Sequence, residues 1–319
     1  MKKLRTAVVG LGSMGKNHIR VLSELDESEL IAVSDVDKKK LENICNKYNV
    51  KGYSDYKEML KNEKPDMVSI VVPTKLHKQV GIDVMNAGIN CLIEKPIADT
   101  VKNAEEIIKC AEKNNVKLTI GHIERFNPAV IELKKRIKEL GKIWEIHIMR
   151  RGPFHGRIRD VGVATDLAVH DLDIMRYLLN SEPKEIKSIS KRGIKTDKED
   201  LVDAIIEFEN ETIGIINTNW LTPEKIRELI IIGENGMFKL NYITQNLEFF
   251  QHKEMNGVNS FTDFVKEFKQ VIKIKINVKK DEPLKLELKS FLKCIMNKKE
   301  PFVTGVDGLE ALRMVKLIE

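Results

Sequence analysis

The six residues GLGSMG, Gly10 to Gly15, follow the apolar run TAVV and open the stretch SMGKNHIRVLSEL, in which apolar residues recur every three to four positions. A glycine turn is thereby set between a buried strand and an amphipathic helix, and few folds begin that way. The glycines allow a tight turn and close approach of a phosphate to the helix N-terminus, where free N–H groups and the helix dipole favour negative charge. Asp35 ends the next apolar run, ELIAVSD, 20 residues beyond Gly15. A carboxylate at that position accepts hydrogen bonds from a ribose.

Gly10, Gly12, Ser13, Met14, Gly15 and Asp35 are therefore expected to bind a dinucleotide. Asp35 would repel the 2′-phosphate of NADP, which makes NAD the expected cofactor, although the three lysines of VDKKK just downstream act against that repulsion.

The same rhythm runs through the first 120 or so residues. DMVSIVVP, NCLIEKP and KLTIGH read as further buried strands, and KKKLENICNKYN, KLHKQVGIDVMNAG and TVKNAEEIIKCAEKNN as helices between them. This predicts an α/β fold with a doubly wound Rossmann domain over residues 1–121. After it the pattern changes. A helix from Pro128 to about Leu140, the run KIWEIHIMRR and a helix near 164–179 precede KEIKSISKRG, LVDAIIEFEN, TIGIINTNW, KIRELIIIG and MFKLNYI. These predict an α+β domain over 122–319 with a mainly antiparallel open sheet. Its closing helix, with Asp307 as N-cap, is expected to pack back toward the first domain.

At 319 residues with 42% hydrophobic content, the chain suits two globular domains. No run is long enough to span a membrane, and a cytoplasmic location is expected. Cys45, Cys91, Cys110 and Cys294 show no C-x-x-C pairing, so free thiols and no metal site are expected. Lys and Arg outnumber Asp and Glu 54 to 48, but the lysines are spread over most helices. That argues against nucleic acid and leaves a small anionic ligand open.

VVPTKLH ends the fourth strand at the carboxyl edge, where Pro73 and Thr74 are expected to touch the dinucleotide. His77 reads equally as a cap or packing residue and as a site residue, and His18 reads as packing. LIEKPIAD ends the fifth strand with two charges that need a partner if buried. Glu94 and Lys95 would project toward the nicotinamide half of the cofactor, where Lys95 could hydrogen-bond a reacting oxygen. The alternative is a surface ion pair. Lys95–Pro96 is also a candidate cis peptide. Further on, Asp166, His170 and Asp173 fall at i, i+4 and i+7, on one helical face. A general base with its orienting carboxylate, a metal site and a hydrogen-bonded polar face all fit that spacing.

Taken in order, GLGSMGKNH, SDVD, VVPTKLH, EKPIA, DLAVHDLD and GVDGLEAL resemble the glucose-fructose oxidoreductase, inositol dehydrogenase and rhizopine-catabolism family of NAD(P)-dependent oxidoreductases, over nearly the whole chain. The resemblance implies hydride transfer from a sugar or polyol carbon to nicotinamide, with no metal. Lys95, Asp166 and His170 become the expected catalytic set: His170 takes the hydroxyl proton, Lys95 hydrogen-bonds the reacting oxygen and Asp166 orients the pair. Asp173 becomes a substrate contact or a support behind the catalytic residues. The chain departs from the pattern at Val163, Ala164 and Ala168, where many members carry glycine, which argues against inositol or free glucose as substrate.

GHIERFNPAV, residues 121–130, adds a resemblance to the branch that oxidises the C3 hydroxyl of UDP-N-acetylglucosamine. Arg125 and Asn127 are expected to contact substrate or nicotinamide. IMRRGPFHGRIRD gathers Arg150, Arg151, His155, Arg157 and Arg159 in one segment, and Arg151 and Arg157 are expected on the substrate diphosphate. A sensor that binds the dinucleotide without turnover is the rival, and a UDP-sugar uronate, free sugar or polyol the alternative substrate. Alternating residues Ile213, Ile215 and Asn217 against Ile216 and Thr218 predict a sheet face that a homodimer or homotetramer would cover.

Overall fold

The computed structural model describes residues 3–154, 156, 161–251 and 272–319. The chain forms two compact units, one of residues 1–126 with 282–313, the other of 127–281 with 314–319.

The first unit is a six-stranded sheet of β1 (Leu4–Val9), β2 (Ser28–Ser34), β3 (Lys51–Tyr53), β4 (Met67–Ile70), β5 (Asn90–Ile93) and β6 (Leu118–Ile120), in the order β3-β2-β1-β4-β5-β6. Every pairing is parallel. The crossovers are α1 (Ser13–Glu24), α2 (Lys38–Tyr48), α3 (Tyr56–Glu63), α4 (His77–Asn86) and α5 (Val101–Asn114). Strand residues alternate between two cores, with Ala7 and Val9 packing on one face of the sheet and Val8 on the other. Burial on both faces is why these strands read as unbroken apolar runs. Strand order reverses between β1 and β4, and both the glycine turn and the VVPT turn leave the sheet there.

In the second unit, α6 (Pro128–Arg136) is followed by β7 (Ile143–Pro153), α7 (Val169–Leu179), β8 (Pro183–Arg192), β9 (Glu199–Phe208), β10 (Ile213–Asn219), β11 (Leu221–Gly233), β12 (Gly236–Asn241), β13 (Asn246–Gln251) and β14 (Ile272–Ile276). The eight strands run β14-β13-β12-β11-β7-β10-β9-β8. Only β7 and β10 pair in parallel. One face is core, with Ile146, Ile148, Ile206, Ile216, Leu229 and Phe238 buried. On the other, Ile189, Ile205 and Ile213 are 73%, 57% and 37% exposed. The alternation expected for Ile213, Ile215, Ile216 and Thr218 is observed.

The division differs from the expected one at 121/122. The chain returns to the first unit as α8 (Pro283–Met296) and α9 (Gly305–Ile318, to Arg313 in this unit). Leu284, Leu288, Phe291 and Leu292 of α8 join the core of Ile19 and Leu22. Leu309 and Leu312 of α9 join Ala104 and Ile107 on the other sheet face. Without them both faces of the sheet would expose apolar side chains to water, at about 25 cal/mol per Å². Asp307 is not the N-cap of α9. Thr304 caps it, its Oγ1 accepting the Asp307 N–H at 3.2 Å while Asp307 Oδ2 accepts the Thr304 N–H at 2.8 Å, a reciprocal capping box.

Candidate functional site

The glycine turn is built as its spacing implies. Gly10 has φ +99°, and a Cβ there would lie 2.3 Å from the Val71 carbonyl oxygen, so only glycine suits it. A Cβ on Gly15 would strike the Gly10 carbonyl at 1.9 Å. Gly12 is the opposite case, with open space within 4 Å of the Cβ position at the start of α1. Asp35 is locked beside the turn: Oδ2 accepts the Leu11 N–H at 2.6 Å and Oδ1 the Asp37 N–H at 2.9 Å. Ser13 and Met14 form the first turn of α1, with Met14 36% exposed, and Pro73 and Thr74 enter the short 3-10 turn after β4.

At the end of β5 the Lys95–Pro96 peptide is cis. Glu94 departs from its expected place on the cofactor. Its carboxylate turns inward, with Oε1 2.9 Å from His18 Nε2 and Oε2 accepting the Lys95 N–H at 3.2 Å. The side chain is 12% exposed. Burial acts to raise the Glu94 carboxyl, but the His18 hydrogen bond and the adjacent Lys95 charge hold it below its ordinary range. His77 lies buried, with Nδ1 2.8 Å from the Pro96 carbonyl oxygen and Nε2 2.9 Å from that of Val72. It thus links the turns after β4 and β5, and burial pushes its imidazole below the ordinary value.

In the second unit, Asp166 lies in a π-helical turn, Ala164–Ala168, that runs directly into α7 with His170 and Asp173. Such π turns recur at functional sites. Asp166 and His170 are half-buried and Asp173 is buried. The opposite flank of α7 is tied down by Asp171, whose Oδ1 accepts the Arg150 Nε–H at 2.6 Å with both side chains buried.

Several expected substrate contacts have other partners. Arg125, 5% exposed, pairs with Asp307 at 2.9 Å. Asn127 is the N-cap of α6, its Oδ1 accepting the Ala129 N–H and its Nδ2 donating to the Tyr242 carbonyl, both at 3.1 Å. Arg151 alternates with Arg150 along β7, which puts it on the His147 face of the sheet, away from α7. Arg157, with His155 and Arg159, lies outside the described residues.

Comparison with known proteins decides the family. Residues 4–122 match the oxidoreductase family domain with an NAD-binding Rossmann fold, and residues 134–318 match that family's C-terminal alpha/beta domain. The chain belongs to the Gfo/Idh/MocA oxidoreductase family. A UDP-N-acetylglucosamine 3-dehydrogenase of Acidithiobacillus ferrooxidans is 27% identical over 98% of this chain and 95% of the relative. A solved structure of that enzyme superimposes with a TM-score of 0.88, covering 100% of this chain and 97% of the other at 26% identity. An NAD(+)-dependent scyllo-inositol 2-dehydrogenase of Bacillus subtilis is also 27% identical, over 96% of this chain and 90% of the relative.

This Gfo/Idh/MocA member is thus an oxidoreductase with an NAD-binding Rossmann domain, in a family that acts on sugar and polyol CH–OH groups. Its glycine turn fits the dinucleotide on physical grounds. The open space over Gly12 admits a pyrophosphate against the N–H groups of α1, and the anchored Asp35 presents a fixed acceptor for a ribose. Among the described residues no helix is long and apolar enough to cross a membrane, and no cluster of three or more His, Cys, Asp or Glu is arranged to hold a metal. The sequence marked His18 only as packing and did not pair it with Glu94. Its one signal was that Glu94 needed a buried partner.

Proposed function

We propose that this protein oxidises the C3 hydroxyl of UDP-N-acetylglucosamine to the 3-keto sugar nucleotide. The observation that carries the reading is full-length similarity to a UDP-N-acetylglucosamine 3-dehydrogenase in a chain whose sequence carries Lys95, Asp166 and His170. Bound NAD supplies the acceptor for the hydride leaving the sugar carbon. Gly12, Ser13, Met14, Pro73 and Thr74 hold the dinucleotide, and Asp35, fixed by two backbone N–H groups, selects NAD over NADP. Lys40, one of the three downstream lysines, is already paired with Asp37 at 3.4 Å. Lys95 donates a hydrogen bond to the reacting oxygen as negative charge develops, His170 accepts its proton, and Asp166 orients and supports the imidazole. Asp173 braces the same helix face.

Purified protein with NAD should be offered UDP-N-acetylglucosamine, its uronate analogue, scyllo-inositol and free glucose, with a transaminase present to draw off ketone. Reduction of NAD with the first and formation of its 3-amino product support the reading. Turnover of scyllo-inositol alone would shift it to the polyol reading, which the Bacillus subtilis relative favours. No turnover of any would favour the sensor.

The same reading includes a cytoplasmic enzyme that works as a homodimer or homotetramer. The exposed isoleucines on the open sheet face are costly to leave in water. Light scattering that shows only monomer at micromolar concentration would remove the oligomer from it.

A further inference from the structure

The end of β5 holds a polar cluster that the chemistry above leaves unused. His18 of α1 is fully buried, with Nδ1 2.6 Å from Ser69 Oγ of β4 and Nε2 2.9 Å from Glu94 Oε1. The set closes when the Ser69 hydroxyl donates to Nδ1 and the Nε2–H donates to Glu94. The other Glu94 oxygen accepts the Lys95 backbone N–H. A side chain on Gly121, just after β6, would meet that oxygen at 2.9 Å, so glycine leaves the carboxylate its room. Glu287 of α8 stands near the same carboxylate, 1% exposed, with no hydrogen-bond partner for either oxygen among the described residues.

We propose that His18 is a positioning residue for Lys95: held by Ser69 on one ring nitrogen and holding Glu94 with the other, it keeps the Glu94 carboxylate against the Lys95 peptide. This rests on the reading that Lys95 meets the reacting oxygen.

Electrostatics gives the arrangement its direction. Two buried carboxyls side by side do not both ionise, and the one with donors and a cation beside it keeps the charge. Glu94 has His18 and Lys95. Among the described residues the charged group acting on Glu287 is Glu94, and burial together with that charge pushes its carboxyl well above the ordinary value. His77, on α4, also feels the Glu94 charge. The negative charge of the pair is therefore on Glu94, beside Lys95. Without the His18 donor, Glu94 would stay buried next to Glu287 and give up its charge or its orientation. Lys95 would lose the Glu94 charge in either case.

The test uses the full-length protein with NAD bound. His18→Leu, His18→Gln and Glu94→Gln are compared with the parent for the rate at which acetic anhydride acylates Lys95, read by peptide mass spectrometry, and for kcat and KM. In His18→Leu and Glu94→Gln, Lys95 should acylate several-fold faster. Their kcat should fall about ten- to a hundredfold, with dinucleotide affinity close to that of the parent. His18→Gln keeps an N–H donor and should recover most of both readouts. Parental acylation of Lys95 in a folded His18→Leu protein and in Glu94→Gln would overturn the proposal, leaving His18 a packing residue. If His18→Leu does not fold, Glu94→Gln decides. The acylation readout needs no substrate. Turnover that survives Lys95→Ala would instead remove the catalytic reading and leave the acylation comparison in force.

Discussion

The guanidinium of Arg125 lies 2.9 Å from Asp307 Oδ1, tying the turn after β6 to the first turn of α9. The contact joins two segments 182 residues apart within one compact unit. Burial acts to raise the Asp307 carboxyl, but the Arg125 charge and the hydrogen bonds from Thr304 outweigh it and hold the group below its ordinary 3.8. Its contribution to stability is therefore present above about pH 3.8 and is lost as pH falls through the lower folded value. Asp307→Asn should cost about 3 kcal/mol in urea unfolding near neutral pH, because it leaves a buried Arg125 without this carboxylate. The gap from the parent should narrow near pH 3. An equal gap at both pH values would mean that the ion pair is not the cause.

Glu287 has the opposite sign. Its carboxyl is held well above the ordinary 4.5 in the folded protein, so folding is favoured most below that pH and weakens as pH rises toward the folded value. Glu287→Gln is neutral at every pH and removes this decline. Its melting temperature should match that of the parent near pH 4 and exceed it by a few degrees near pH 8. A variant less stable than the parent near pH 8 would show that Glu287 has a partner there.

Gly10 and Gly12 should separate by role. Gly12→Ala should fold like the parent, since its φ of −68° suits any residue and its Cβ position is open, yet it should bind NADH about tenfold or more weakly by fluorescence titration. Gly10→Ala should destabilise the protein without ligand by about 1–3 kcal/mol, through its positive φ and the Val71 carbonyl. Equal effects on folding and binding at both sites would contradict this division.

Under the proposed function Asp35, held by two backbone N–H groups, is the group that sets the cofactor preference. Asp35→Ser removes the fixed charge and should lower the ratio of kcat/KM for NAD over NADP by about tenfold or more. An unchanged ratio would place selectivity elsewhere, for instance with Lys38 and Lys39.

The first unit was largely legible in the sequence because each buried strand is an apolar run ended by a turn residue, and because Gly10, Gly12, Gly15 and Asp35 keep a spacing that only one local geometry explains. Elements without such a signal were missed. KGY of β3 has no apolar run, α3 is eight residues long, and β13 and β14 are short strands near the sheet edge. The return of α8 to the first unit depends on Phe291 finding a core far away in sequence, which periodicity does not encode. Motif reading also cannot tell a ligand contact from a structural bond. Arg125 and Asn127 are polar residues at a junction, and the partners that occupy them, Asp307 and Tyr242, lie 182 and 115 residues further on. Glu94 was seen to need a partner, but only the fold supplies His18.

The most direct test follows the hydride itself. UDP-N-acetylglucosamine carrying deuterium at C3 is incubated with the protein, NAD and a trap for the ketone, and the reduced dinucleotide is read by mass spectrometry. Deuterium in the reduced dinucleotide, lost in Lys95→Ala and His170→Ala, is the expected result. Unlabelled reduced dinucleotide, or none with this substrate while a polyol is oxidised, would contradict oxidation at C3.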